Sequence, residues 1–134
     1  MVPQSTETLP IRISSDIVIV RQVVRARAAE IGLSLVDQTK IVTAASELAR
    51  NTLEYGKGGE CQVEVLNSTG RAGLRLSFSD KGPGIPDITV AMRDGFTTGN
   101  GLGLGLSGSK RLVNDFEIAT KVGEGTRVTV TRWK

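Results

Sequence analysis

A run of alternating glycine and leucine, from Gly101 to Leu106, constrains the fold of this chain more than any other feature. An alternation with a period of two is typical of a half-buried β-strand. Glycine weakens a strand, however, because it loses the most backbone entropy on folding and has no side chain to pack. We therefore predict that this segment places its backbone N–H groups close to a ligand instead of forming a regular strand.

The composition predicts one globular domain over residues 1–134. The chain has 134 residues, of which 39% are hydrophobic and 23% charged, so it can form a core without disulfides or metals. Its net charge of +3 comes from 17 basic residues scattered among 14 acidic ones. Because the basic residues form no long run and alternate with no aromatic residues, we expect no nucleic-acid partner.

The counts of cysteine and histidine exclude several kinds of site. Cys61 is the only cysteine, which excludes an internal disulfide. The chain has no histidine, which excludes Ser-His-Asp and Cys-His catalysis and metals held by histidine. The N-terminus does not resemble a signal peptide, and no apolar stretch is long enough to cross a membrane. We therefore expect a cytoplasmic protein with no membrane partner.

Hydrophobic periodicity predicts the elements of an α+β fold. One helix is expected to begin near Ser14 and end at Gly32, and a second to run from Ser34 to Gly56 with Tyr55 on its apolar stripe. Because the strands cluster instead of alternating with helices, we expect a two-layer sandwich of one mixed, mostly antiparallel sheet with helices on one face. Strands are predicted at residues 9–14, 61–67, 74–80, 116–122 and 126–133, and further helices within 85–95 and at 107–114.

Asp80 ends a predicted strand on the same face as the apolar side chains of Leu76 and Phe78. A carboxylate on such a face needs hydrogen-bond donors. Gly82 and Gly84 follow, and they allow the backbone to turn tightly and to approach a ligand. The alternative is that the strand ends at Phe78 and that Asp80 lies in a turn in water. The glycines favour a pocket, in which Asp80 suits an exocyclic amine such as that of adenine.

Glu47 and Asn51 lie about 40° apart on the second predicted helix, at the edge of its apolar stripe. The amide oxygen of Asn51 suits Mg²⁺, and the carboxylate of Glu47 suits the acceptance of a proton from an attacking hydroxyl. Considered alone, this segment favours the simpler interpretation of a surface ion pair between Glu47 and Arg50.

The glycine run is predicted to bind phosphate. Glycine N–H groups in a turning backbone form a concave anion site, and a helix that begins just after them adds partial positive charge. The alternative is a loop without a ligand. The run matches neither the Walker motif nor the Rossmann motif, which excludes those two kinds of nucleotide site.

Four motifs occur in the order ELARN, DKGPG, GLGLGL and GEGT. In this order they resemble the GHKL superfamily of ATPases and kinases, whose Bergerat fold binds ATP. SELARN, GFTTGNGLGLGL and the C-terminal KRLVNDFEIATKVGEGTRVTVTRW are similar to the RsbT-type serine kinases of bacterial partner switching, which are related to the RsbW and SpoIIAB anti-sigma kinases. The resemblance extends from the first helix to the C-terminus.

The resemblance implies a role for individual residues. Glu47 corresponds to the general base and Asn51 to the ligand of Mg²⁺. Asp80 corresponds to the acceptor of the adenine amine, and Thr126 supports the adenine site through water. Arg50 contacts phosphate or a partner. The implied residues of the adenine pocket and of the lid over the phosphates are Gly82, Gly84, Ile85, Thr97, Thr98, Gly101, Leu102, Gly103, Leu104 and Gly105.

The same resemblance implies an ATP-dependent serine/threonine kinase that uses Mg²⁺ and phosphorylates a STAS-domain antagonist or scaffold, such as a stressosome protein. Once released, the kinase would bind and activate a PP2C-type phosphatase in a stress-signalling pathway. Three alternatives stay open: an anti-sigma factor kinase, a nucleotide-gated binding switch without transfer, and phosphorylation of a separate histidine protein. The oligomeric state stays open as well.

Overall fold

Five strands and four helices make up the part of the chain that the computed structural model describes, residues 2–92 and 105–134. In chain order they are β1 (Ser5–Ile11), α1 (Ser14–Glu30), α2 (Leu35–Glu54), β2 (Gly59–Ser68), β3 (Arg71–Asp80), α3 (Ile88–Ala91), α4 (Gly105–Arg111), β4 (Asp115–Lys121) and β5 (Gly125–Trp133).

The strands form one sheet in the order β1-β2-β3-β5-β4. All pairings between the described strands are antiparallel, so the expected mixed sheet was wrong in this detail. The reason lies in the connection between β1 and β2. Helices α1 and α2 pack against each other, and together they return the chain to the end of the sheet at which β1 finishes. Strand β2 therefore begins beside Ile11 and runs opposite to β1. The predicted α+β class and two-layer architecture are confirmed.

The core lies between the sheet and the helices. On β3, the alternating side chains of Leu74, Leu76 and Phe78 are buried against the helices, as the sequence pattern predicted. Helix α2 contributes Ile41 and Leu48 from its buried face. Polar side chains occupy the opposite face of the sheet, among them Glu64, Arg75, Ser77 and Thr129. The helices therefore cover one face, as expected.

The start of α1 explains why β1 ends at Ile11 and not at residue 14. The carboxylate of Asp16 accepts hydrogen bonds from the N–H groups of Arg12 (2.8 Å) and Ile13 (3.1 Å), which draws these residues into the helix cap. At the other end of α1, Gly32 has a φ of +85°, which suits the predicted helix stop. The next helix begins as predicted, because the Ser34 hydroxyl accepts from the N–H of Asp37.

Helix α2 carries most of the residues that face the sheet. Tyr55, which we expected on its apolar stripe, follows the last turn and is 41% exposed. None of the helices in the described residues has the length and apolar character needed to cross a membrane.

Candidate nucleotide site

A cavity of about 260 Å³ lies between α2 and the end of the sheet at which β3 and β5 pair. Apolar side chains line much of it, including those of Leu48, Phe78 and Leu106. Its wall also contains predicted site residues that are distant in sequence: Asn51, Asp80, Ile85, Gly105 and Thr126. An apolar cavity with a few convergent polar groups is the usual form of a small-molecule site.

Asp80 is the last residue of β3 and pairs with Thr126 of β5. Its Oδ1 accepts a hydrogen bond from the N–H of Gly82 (2.9 Å) and a longer one from the N–H of Thr126 (3.3 Å). The donors that this carboxylate needs are therefore backbone amides. Because both bonds reach Oδ1, Oδ2 is left as the acceptor for a donor in the cavity.

Glycines make room for the Asp80 carboxyl group. A Cβ on Gly56 would overlap that group, and a Cβ on Gly82 would lie 2.8 Å from the Cα of Gly56. Gly84 has a φ of +78° and also lies against the backbone of Lys121, so no other residue fits there without strain. The motif DKGPG predicts roles for Gly82 and Gly84, whereas the sequence around Gly56 indicates only a helix stop.

A hydroxyl on β4 joins the elements around Asp80. Oγ1 of Thr120 accepts from the N–H of Ile85 (2.9 Å) and lies 2.8 Å from Oγ1 of Thr126. It also donates to the carbonyl oxygen of Gly125 at 3.2 Å. None of the four sequence motifs contains Thr120. The pairing of Thr120 with Thr126 across the β4–β5 hairpin is the signal that would have located it.

Glu47 and Arg50 form an ion pair on α2, with Nη1 of Arg50 donating to Oε2 of Glu47 at 3.0 Å. The pair is not a surface pair of the kind the segment alone favoured, because Glu47 is only 2% exposed. Asn51 lines the cavity, whereas Glu47, one helical turn earlier, is not among the described residues that line it. The helix therefore places the amide at the cavity and the carboxylate beside it.

The side chains at the cavity suit a metal ion that binds together with a nucleotide. Within residues 2–92 and 105–134, no three acidic, cysteine or histidine side chains form a metal-binding group. Mg²⁺ bound with a nucleotide needs few protein ligands, because water and phosphate oxygens fill most positions. The amide oxygen of Asn51 is a hard ligand at the cavity and suits this purpose.

The lid predicted from the sequence falls largely outside the described residues. This holds for Thr97, Thr98, Gly101, Leu102, Gly103 and Leu104. The remaining lid residue, Gly105, is the first residue of α4, is buried and has a φ of +56°. It lies at the cavity.

Comparison with a curated relative agrees with the sequence analysis. The chain is 47% identical over 118 residues to the serine/threonine-protein kinase RsbT of Bacillus subtilis strain 168, and the match covers 88% of this chain and 89% of the relative. The predicted resemblance to RsbT-type kinases is confirmed, and so is the predicted enzyme class, a protein-serine/threonine kinase.

More distant similarities agree with this result. The chain is 29% identical over 119 residues to an anti-sigma F factor of Thermoanaerobacter species strain X514, covering 84% of this chain and 82% of that protein. A crystal structure of the RsbU and RsbW domains of a Mycobacterium tuberculosis protein matches with a TM-score of 0.66 and 24% identity, over 97% of this chain. The chain spans only 32% of that protein, and at this identity the match supports the fold alone.

The family model described as histidine kinase-, DNA gyrase B-, and HSP90-like ATPase matches residues 36–134. This range contains the described cavity residues and all four motifs. An ATPase family implies ATP binding, as the motifs did. The chain therefore belongs to the histidine kinase-, DNA gyrase B-, and HSP90-like ATPase family, the GHKL superfamily of the sequence analysis.

Proposed function

We propose that this chain transfers the γ-phosphoryl group of ATP to a serine or threonine of a STAS-domain protein. The observation that carries the proposal is the meeting of Asn51, Asp80 and Thr126 at one cavity in a chain of this ATPase family. The 47% identity to a serine/threonine-protein kinase supports a protein hydroxyl as the acceptor.

The base of ATP would bind at the sheet end of the cavity. Backbone N–H groups hold Oδ1 of Asp80, so the carboxylate is fixed before the ligand arrives, and its free oxygen accepts from the adenine amine. Ile85 and Leu106 provide apolar surface against which the base packs. A site that is already ordered loses less entropy on binding, which favours affinity.

The transfer step would take place beside α2. Glu47 accepts the proton of the attacking hydroxyl, and the hydrogen bond from Arg50 orients its carboxylate. Asn51 would hold Mg²⁺, which when bound neutralises charge on the phosphates. Glu47 and Asn51 are one turn apart on α2, so in this proposal the attacking hydroxyl lies between the phosphate near Asn51 and the Glu47 carboxylate.

The partners are part of the proposal. The STAS-domain protein holds the kinase until it is phosphorylated, and the released kinase then activates a PP2C-type phosphatase. Phosphorylation adds charge of about −1.5 to −2 to the contact surface, which is enough to change the affinity for one partner. The second candidate is an anti-sigma factor, which the 29% identity to anti-sigma F factors favours.

The test uses γ-labelled ATP with Mg²⁺ and STAS-domain proteins from the same genome. We expect acid-stable label on serine or threonine with the wild-type chain, and none with Glu47→Gln. Glu54→Gln is the matched control, because Glu54 is an exposed glutamate at the end of the same helix, and it should transfer normally. Bound ATP without transfer would indicate a nucleotide-gated switch. Acid-labile label would indicate a histidine acceptor.

A further inference from the structure

A row of three polar side chains crosses the sheet at the cavity. Asp80 on β3 pairs with Thr126 on β5, and Thr126 pairs with Thr120 on β4. Paired residues in an antiparallel sheet point to the same face, so all three side chains lie on the helix side. Of these, Asp80 and Thr126 line the cavity, and Thr120 lies behind them.

The hydrogen bonds of Thr120 determine where its single proton goes. A hydroxyl donates once and accepts twice. The N–H of Ile85 can only donate to Oγ1 of Thr120, and the carbonyl of Gly125 can only accept from it. All three contacts can be hydrogen bonds at once only if the proton of Thr120 points to Gly125. The 2.8 Å contact with Thr126 is then satisfied only if Thr126 donates to Thr120.

We propose that Thr120 fixes the direction of the Thr126 hydroxyl proton and thereby sets the preference of the site for a purine that carries its amine at position 6. With its proton held by Thr120, the Thr126 hydroxyl offers only acceptor lone pairs to the cavity. The neighbouring carboxylate of Asp80 offers only acceptors as well. This inference rests on the proposed function, since it concerns the base of the nucleotide at that same site.

Purines with an amine at position 6 and purines with a carbonyl oxygen there differ in the group that they would place against Asp80 and Thr126. Adenine has an amine at position 6, which donates, whereas hypoxanthine and guanine have a carbonyl oxygen there, which only accepts. A wall that contains only acceptors binds the amine and repels the carbonyl oxygen. Unpaired polar groups in a closed site cost much more than a lost contact, so discrimination can be large.

Thr120 acts as a positioning residue in this scheme, because it acts on the base only through Thr126. Replacement by valine keeps the shape of the side chain but removes the acceptor. The Thr126 hydroxyl then becomes free to rotate and to donate to a carbonyl oxygen. Replacement by serine keeps the hydroxyl and should keep the selectivity.

The experiment compares the dissociation constants of adenosine diphosphate and inosine diphosphate by calorimetry. These ligands differ only in the base, and phosphotransfer does not consume them. The variants are Thr120→Val and Thr120→Ser. Thr129→Val is the matched control, because its hydroxyl pairs with Ser77 on the opposite face of the sheet (3.3 Å). It removes a similar cross-strand contact without reaching the cavity.

For Thr120→Val we expect adenosine diphosphate to bind about tenfold more weakly, and the preference over inosine diphosphate to fall by at least tenfold. Thr120→Ser and Thr129→Val should keep the wild-type ratio. An unchanged ratio in Thr120→Val would overturn the inference, as would an equal weakening of both ligands. A wild-type chain that binds neither diphosphate would instead refute the proposed nucleotide site.

Discussion

Gly56 leaves the space that the Asp80 carboxyl group occupies, since a Cβ at position 56 would overlap that group. We predict that Gly56→Ala pushes the carboxylate away from the N–H groups of Gly82 and Thr126 and lowers the affinity for ATP at least tenfold. Calorimetric titration with an ATP analogue that cannot transfer its phosphate measures this loss.

Gly70→Ala is the control for this prediction. Gly70 lies in the turn between β2 and β3 with a φ of +82°, and a Cβ there would meet nothing within 4 Å. The substitution should cost about 1 kcal/mol of stability through backbone strain and leave the ATP affinity unchanged. If both variants bound ATP equally well, the fit between Gly56 and Asp80 would have no part in binding.

The ion pair between Glu47 and Arg50 yields a prediction about stability. Glu47 is 2% exposed, so Arg50→Met leaves its carboxylate buried without the donor that Arg50 provides. We expect a loss of about 1–3 kcal/mol in the free energy of unfolding, measured by urea denaturation. Glu47→Gln in the same background should recover part of it, since a neutral amide is less costly to bury. A double variant as unstable as the sum of the single variants would show that the two side chains act independently.

Cys61 on β2 should be inert to thiol reagents in the folded protein. Its side chain is completely buried, and desolvation raises the pKa of the thiol. Labelling with a thiol reagent should therefore require unfolding, and urea should accelerate it. Fast labelling of the native protein would show that β2 opens locally.

Cys61 also makes the stability of the folded protein depend on pH. Above about pH 8.5 the thiol ionises in the unfolded chain but stays protonated in the folded one, so stability falls as the pH rises. Cys61→Ala removes this contribution, although it lowers stability at every pH because it leaves a cavity. Urea denaturation between pH 7 and pH 10 should show a shallower decline for the variant than for the wild type.

Local sequence signals predicted most of the fold. The alternation of Leu74, Leu76 and Phe78 identified β3, and Ser34 and Gly32 marked helix ends that the structure has. The edge strand β1 was displaced because Ser5, Thr6 and Thr8 show little alternation, and β1 is defined by its pairing with β2. Pairing with a distant strand cannot be predicted from the local sequence of the segment that pairs.

The site shows the same division between local and long-range signals. Asn51 and Asp80 could be identified from their own motifs, and the structure places both at the cavity. Gly56 and Thr120 have no motif of their own. Their importance comes from contacts with Asp80 and Thr126, which exist only once α2 and β4 are packed against the rest of the sheet.

The binding of ATP by wild type and Asp80→Asn shows whether the cavity beside Asp80 is the nucleotide site. Asparagine keeps an acceptor for the N–H groups of Gly82 and Thr126, so the fold should persist, but its amide donor faces the adenine amine. We predict that ATP affinity measured by calorimetry falls about tenfold to a hundredfold at nearly unchanged stability. Equal affinity in the two proteins would contradict it.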